Sequence, residues 1–268
     1  SGAYNEARYA YEDVEGGRRL DLPHTYVSAK IKAFEAMERW SSRVGLVWRT
    51  GPGFVMPLQG EAMEEALTRL LDGPGGYVVI RPPMLEALVA RAEAQDRTLP
   101  PFAEFITYGE LVTTELRERV RSVLGARIAD IYSAEEVGPI GFECCRAAGH
   151  YHVATSGVAV EVVDERRRVL GEGKVGDILV TGLHSLASPV VRYDLGDRGA
   201  LIGRCPCGHD GPVLRSLLGR RRSLLRLPDG RLFFLRPAGR ELLAVAPVTT
   251  WRLTQTAPLA LVLEVEAE

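Results

Sequence analysis

The sequence predicts an α/β protein: a parallel sheet with covering helices in its first half, followed by a β-rich, barrel-like subdomain and the start of a small C-terminal α+β domain. Three observations carry that expectation. Between residues 61 and 132, segments of helical period alternate with short β-branched and aromatic runs. From His152 onward, short strands of period two follow one another between glycine and proline turns. A chain of 268 residues with 46% apolar side chains is long enough to bury one large core or two modest ones.

Residues 26–40 (YVSAKIKAFEAMERW) set apolar or small side chains at helical spacing and predict a helix. Residues 61–72 (EAMEEALTRLLD) repeat the pattern and stop at Gly73-Pro74-Gly75-Gly76. Residues 77–80 then read as a buried strand and 83–94 as a helix; 105–108 and 115–124 repeat the pair, and 127–132 form a third strand. Strands separated by helices need crossover connections, so the sheet should be parallel. Beyond His152 the runs VAVEVVD, GDILVTGL, PVVRYDLGD and ALIG imply antiparallel pairing in a barrel or sandwich. Residues 224–234 form a hairpin around Pro228-Asp229-Gly230, and 251–268 offer two more strands. The expected divisions are 1–150, 151–219 and 220–268, the last falling on the glycine and arginine cluster at Gly219-Arg220.

A net charge of -2 gives no bulk electrostatic attraction to nucleic acid or an anionic membrane, so neither is expected as partner. No apolar stretch approaches about eighteen residues, and the N-terminus lacks a charged-then-apolar leader pattern, which together predict a cytoplasmic protein. The sequence also shows no serine-histidine-aspartate triad and no paired carboxylates of the glycosidase kind. His24, His184 and His209 stand in no partner pattern and receive no role.

The four cysteines are clustered: Cys144 and Cys145 are adjacent, and Cys205 and Cys207 share a Cys-Pro-Cys-Gly turn. Adjacent cysteines rarely bridge each other, whereas two close pairs from separate segments suit a closed tetrahedral zinc site. One arm is Cys205 and Cys207; the other is Cys144 or Cys145 with His150 or His152. Four reduced thiols buried as small apolar groups are the alternative.

Three segments, taken in order, resemble a known family. Residues 127–140 read RIADIYSAEEVGPI, 189–197 read PVVRYDLGD, and 205–230 read CPCGHDGPVLRSLLGRRRSLLRLPDG. They are similar to the motifs of the phenylacetate-coenzyme A ligase-like family within the adenylate-forming (acyl-AMP) ligases, and weaker similarity runs from about His24 to the last residue. The resemblance implies ATP-dependent activation of a carboxylic acid, aryl or acyl, as its adenylate, followed by transfer to a thiol such as coenzyme A or a carrier-protein arm. It implies ATP, magnesium and coenzyme A as reactants and cofactors, and a structural zinc held by Cys144, His152, Cys205 and Cys207. Residues 105–109 and 138–141 are expected along the acid's pocket, which suits a modest apolar or aromatic acid.

Physical chemistry gives each implied residue a task. The Tyr132 face can stack on a purine with Ser133 beside it, and Glu136, just beyond the turn, can reach a magnesium ion bridging phosphates as the catalytic carboxylate. Relatives have a glycine, a small residue and a threonine where this chain has Ser133, Ala134 and Glu135. Asp197 follows a glycine, so its two oxygens can accept from both ribose hydroxyls. Arg220 corresponds to an arginine that reaches the same nucleotide, and Arg222 stands where many relatives have an acidic hinge residue. Two family pieces are expected to be lacking: a serine-, threonine- and glycine-rich phosphate loop before His24, where the chain reads VEGGRRLDLPH, and a late lysine in most of a C-terminal domain. The second reading is therefore a catalytically degenerate, zinc-stabilised module that binds nucleotide or serves as a scaffold.

Overall fold

The computed structural model describes residues 19, 21–28, 35–37, 40–43, 46–49, 53–57, 62–95, 98–184, 187–221, 224–234 and 248–267. In chain order the first half holds β1 (His24–Ser28), β2 (Glu35–Met37), β3 (Trp40–Arg43), β4 (Leu46–Arg49), β5 (Gly53–Pro57), α1 (Ala62–Asp72), β6 (Gly76–Val79), α2 (Pro82–Glu93), β7 (Phe102–Tyr108), α3 (Thr114–Leu124) and β8 (Arg127–Ala134). Among its described residues the second half holds β9 (Gly138–Cys144), β10 (Ala147–Val153), β11 (Val158–Val163), β12 (Val175–Gly182), β13 (Tyr193–Arg204), β14 (Asp210–Arg220), β15 (Leu224–Arg226), β16 (Leu232–Phe234), β17 (Val248–Ala257) and β18 (Ala260–Ala267).

Among the described residues twelve strands form one sheet in the order β11-β12-β13-β14-β10-β9-β8-β7-β6-β1-β5-β2. From β5 through β8 neighbouring strands run parallel, as the alternation predicts. β8 is the changeover: its other edge meets β9 antiparallel, and every pairing onward to β11 is antiparallel. Among the described residues the β-rich half thus continues the first sheet. β15 with β16, β17 with β18, and β3 with β4 form separate two-stranded ribbons.

The helices at 61–72, 83–94 and 115–124 form within one residue of expectation at each end. Pro82 and Pro83 open α2 where missing N–H groups cost nothing. The Thr113 hydroxyl accepts from the Leu116 N–H at 3.1 Å to cap α3, which ends on left-handed Gly125. The helix expected over 26–40 is overturned. There the chain forms β1 and β2, and β1 lies inside the sheet between β5 and β6. Period two wins locally: Thr25 and Val27 are buried on one face while the intervening Tyr26 is exposed on the other.

The helices seal the parallel half through a core that includes Leu67, Leu71, Leu85, Leu88, Phe105 and Val120. Each such apolar side chain contributes about 1.5–3 kcal/mol by leaving water. Ion pairs tie the helices along their outer faces, Arg119 gripping Glu93 at 2.7 and 3.1 Å and Arg91 meeting Glu64. A second core under the antiparallel strands centres on Ile140, Val158, Ile178, Val180 and Leu214. Gly76 is needed where β6 starts, because a Cβ there would come within 2.3 Å of the Pro23 carbonyl oxygen.

Candidate nucleotide cleft and metal centre

At the carboxyl end of the parallel strands, the position where open α/β sheets bind ligands, a cleft of about 250 Å3 opens between β7, β8, β13 and β14. Its walls include Gly109, Glu110 and Leu111 after β7, Asp130 to Ser133 of β8, Asp197 of β13, and Leu217, Gly219 and Arg220 of β14. Tyr132, Ser133, Asp197 and Arg220, which the sequence singles out from three separate segments, therefore share one cavity.

Backbone irregularities aim these side chains. Gly196 at φ 73° bends β13 just before Asp197, and the Asp194 carboxylate accepts from the Gly196 N–H at 2.8 Å. Asp197 consequently sits at a kink inside a continuous strand, where the motif suggested a strand end. Ser216 at φ 52° lies in β14, whose register against β13 shifts between Arg198 and Ala200, and beyond it Arg220 pairs with Asp197 across the ladder.

The Tyr132 hydroxyl donates to Asp197 Oδ2 at 2.8 Å. Burial pushes the Asp197 carboxyl above its ordinary value, while the Tyr132 hydrogen bond and the Arg220 charge pull it back part of the way. Burial likewise raises the Tyr132 phenol far beyond its normal range, helped by the charge of Asp197. The raised phenol keeps its proton, so Tyr132 is the donor of this hydrogen bond and Asp197 its acceptor.

Glu136 stands in the turn after β8, outside the cleft lining, and accepts from the Tyr193 hydroxyl at 2.8 Å. That hydrogen bond holds its carboxyl below the usual range, and Arg220 adds to the effect. Arg220 faces the cleft, whereas Arg221 turns away to Asp177 at 2.7 Å and Asp194 at 3.3 Å. Arg222 lies outside the described residues, as do Gly16 and Gly17. Of the segments expected along an acid pocket, Gly109 lines the cleft, but Phe105 and Ile140 are fully buried in the two cores.

Sequence reasoning overlooked Glu110, Leu111, Leu217 and Asp130, as well as Tyr193 and Tyr151, which act one step back from the cleft. Tyr193 stands inside the arginine-tyrosine motif and Asp130 inside RIADIY, so their segments were visible although their partners were not.

A cluster of three cysteines and a histidine forms a second, separate group. One ligand atom each from Cys144, His152, Cys205 and Cys207 lies within 4.8 Å of the others, and Cys207 Sγ is 3.5 Å from His152 Nε2. Cys145 is exposed and, like His150, falls outside the group. Backbone N–H groups of Arg146 and His209 point at Cys144 and Cys207 sulfur at 3.4 Å, a donor arrangement that favours thiolates. Burial pushes the Cys144 thiol up to about 12. At Cys207 burial acts the same way, but the His209 amide and the two neighbouring thiols bring the group below its ordinary value. The His209 ring stacks on His152 with centroids 4.1 Å apart. Three sulfurs and one imidazole so placed suit a closed tetrahedral zinc.

No family model matches the chain. Two curated relatives do, both named phenylacetate-coenzyme A ligase. The one from Thermus thermophilus is 28% identical over 179 residues, covering 64% of this chain and 40% of that protein. The one from Pseudomonas putida is 26% identical over 155 residues, covering 55% of this chain and 35% of that protein. Among solved structures, 2-hydroxyisobutyryl-CoA ligase in the postadenylation state with R3-HIB-AMP matches 98% of this chain and 58% of its own, at TM-score 0.69 and 17% identity. A benzoate CoA ligase from Burkholderia xenovorans LB400 matches 97% of this chain and 55% of its own, at TM-score 0.57 and 14% identity. At such identities the structural likeness concerns the fold. The sequence and fold matches together bear out the resemblance read from the three motifs: the chain is similar to part of a phenylacetate-coenzyme A ligase-like, adenylate-forming ligase and spans less than half the length of the curated relatives.

Proposed function

We propose that this chain forms the nucleotide-binding part of a ligase that activates a carboxylic acid with ATP and passes the acyl group to coenzyme A. The observation that carries this reading is the convergence of Tyr132, Ser133, Asp197 and Arg220, drawn from β8, β13 and β14, on one cleft at the carboxyl end of the parallel strands.

In this reading the purine stacks on Tyr132, and Asp197, oriented by the Tyr132 hydroxyl, accepts from the ribose hydroxyls. Arg220 offsets phosphate charge from the rim, and Ser133 lies beside the nucleotide. The acid's carboxylate attacks the α-phosphate and pyrophosphate leaves; the coenzyme A thiol then attacks the acyl carbon and releases AMP. Glu136, exposed and kept ionised by Tyr193, is the group that would hold magnesium, which supplies charge neutralisation at the phosphates. Cys144, His152, Cys205 and Cys207 would hold a zinc ion that pins β9, β10 and the Cys205–Cys207 turn together without taking part in acyl transfer.

ATP–pyrophosphate exchange with a panel of aryl and acyl carboxylates, run on a protein that contains this chain, tests the activity. Exchange with at least one acid is expected. AMP binding without exchange for any acid would favour the zinc-stabilised, catalytically silent module instead.

A further inference from the structure

Asp130 is a buried carboxylate with no part in the nucleotide chemistry above, yet it lines the cleft. Both of its oxygens are engaged: Oδ1 accepts from the Thr107 hydroxyl at 2.6 Å and Oδ2 from the Tyr151 hydroxyl at 2.8 Å. Its backbone N–H donates to Glu143 Oε2 at 3.1 Å, and Glu143 is itself clamped by Arg117 at 2.8 and 3.0 Å. β7 and β8 are already joined by their own ladder, so a buried charge is an expensive extra tie between them. What it adds is the orientation of a ring. Tyr151, 4% exposed, meets Tyr132 edge-on, with centroids 6.3 Å apart and planes at 62°. Tyr132 in turn reaches Asp197.

We propose that Asp130 is a positioning residue for the nucleotide: through the Tyr151 hydroxyl it holds the Tyr151 ring against Tyr132, and so fixes the plane on which a purine stacks and the direction in which Tyr132 meets Asp197. The proposal rests on the nucleotide reading of the cleft. Nothing in the sequence separates Asp130 from an ordinary strand residue; only the sheet brings residues 107, 130, 132 and 151 together.

The test is AMP binding by calorimetry to the 268-residue chain and to Asp130→Asn, Tyr151→Phe, Tyr132→Ala and the double variant Asp130→Asn with Tyr132→Ala. Asp130→Asn is expected to weaken AMP binding about twofold to tenfold, the worth of an edge-to-face aromatic pair expressed as affinity. Tyr151→Phe, which keeps the ring and removes only its hydroxyl, should do the same with zinc content and circular dichroism unchanged, and it keeps the test sound if Asp130→Asn folds poorly. In the Tyr132→Ala background the Asp130 substitution should have no further effect. Unchanged affinity in Tyr151→Phe, or an equal loss with and without Tyr132, would overturn the positioning role and leave Asp130 a strand tie. Failure of the unaltered chain to bind AMP would instead refute the nucleotide reading, and this proposal with it.

Discussion

Replacing Asp197 with asparagine preserves the shape of the cleft and removes one charge. Tyr132 already occupies Asp197 Oδ2 at 2.8 Å, so Oδ1 and a remaining Oδ2 lone pair are left for ribose hydroxyls. A hydrogen bond to a charged partner is worth about 1.5–3 kcal/mol against about 1 for a neutral one, so neutralising the acceptor for two hydroxyls removes about 1–3 kcal/mol. AMP should then bind Asp197→Asn about fivefold to a hundredfold more weakly. The loss should fall on the ribose: 2′,3′-dideoxy-AMP, which lacks both hydroxyls, should bind the two proteins equally within about twofold. Titration calorimetry near pH 8 measures all four combinations. The carboxyl lies above its ordinary value through burial, so wild-type AMP affinity should fall as pH is lowered through that raised value, whereas the asparagine protein should not follow. Alanine is the poorer probe, because it leaves the part-buried Tyr132 hydroxyl without its acceptor at a further cost of about 1 kcal/mol in stability. Equal losses for AMP and its dideoxy analogue, or no loss for either, would remove Asp197 from the ribose site.

Metal analysis of protein purified without added zinc should find about one zinc per chain, and Cys205→Ser should lose it along with thermal stability; a fully folded, metal-free wild type would refute the zinc reading. Glu136→Gln should leave AMP affinity within about twofold while weakening magnesium-dependent ATP binding about tenfold or more, and an unchanged magnesium titration would exclude Glu136 as its ligand. Burial pushes Asp130 from 3.8 up to about 6, so the folded state holds that proton more tightly than the unfolded chain. Its contribution to stability should decline as pH rises from about 4 to about 6 and stay flat above, by at most about 3 kcal/mol at 1.4 kcal/mol per pH unit. Denaturant titrations at pH 4.5 and 7.5 should show that decline in wild type and a smaller one in Asp130→Asn; identical profiles would mean the carboxylate does not titrate in this window.

The sequence by itself determined the α/β class, the helices at 61–72, 83–94 and 115–124, and the parallel run from 77 to 132, because those rest on local period and stop signals; cysteine spacing pointed to a cysteine-histidine cluster but left its second arm open between Cys144 and Cys145 and between His150 and His152. The family resemblance singled out Tyr132, Asp197 and Arg220, which the structure places along one cleft. The sequence reading missed at 26–40, where a helical spacing of apolar residues competes with a β-branched, aromatic start; membership of an interior strand between β5 and β6 decided the matter through hydrogen bonds that no local window contains. Only the tertiary structure brought Cys144, and not Cys145, beside His152, Cys205 and Cys207, turned Arg220 to the cleft and Arg221 to Asp177, and joined the two halves into one sheet through the two edges of β8. Those choices depend on strand register, in which a shift of one residue reverses the face a side chain occupies. For the same reason Asp130 and Tyr151 gain meaning only when β8 and β10 bring a carboxylate and a phenol to 2.8 Å across 21 residues of chain.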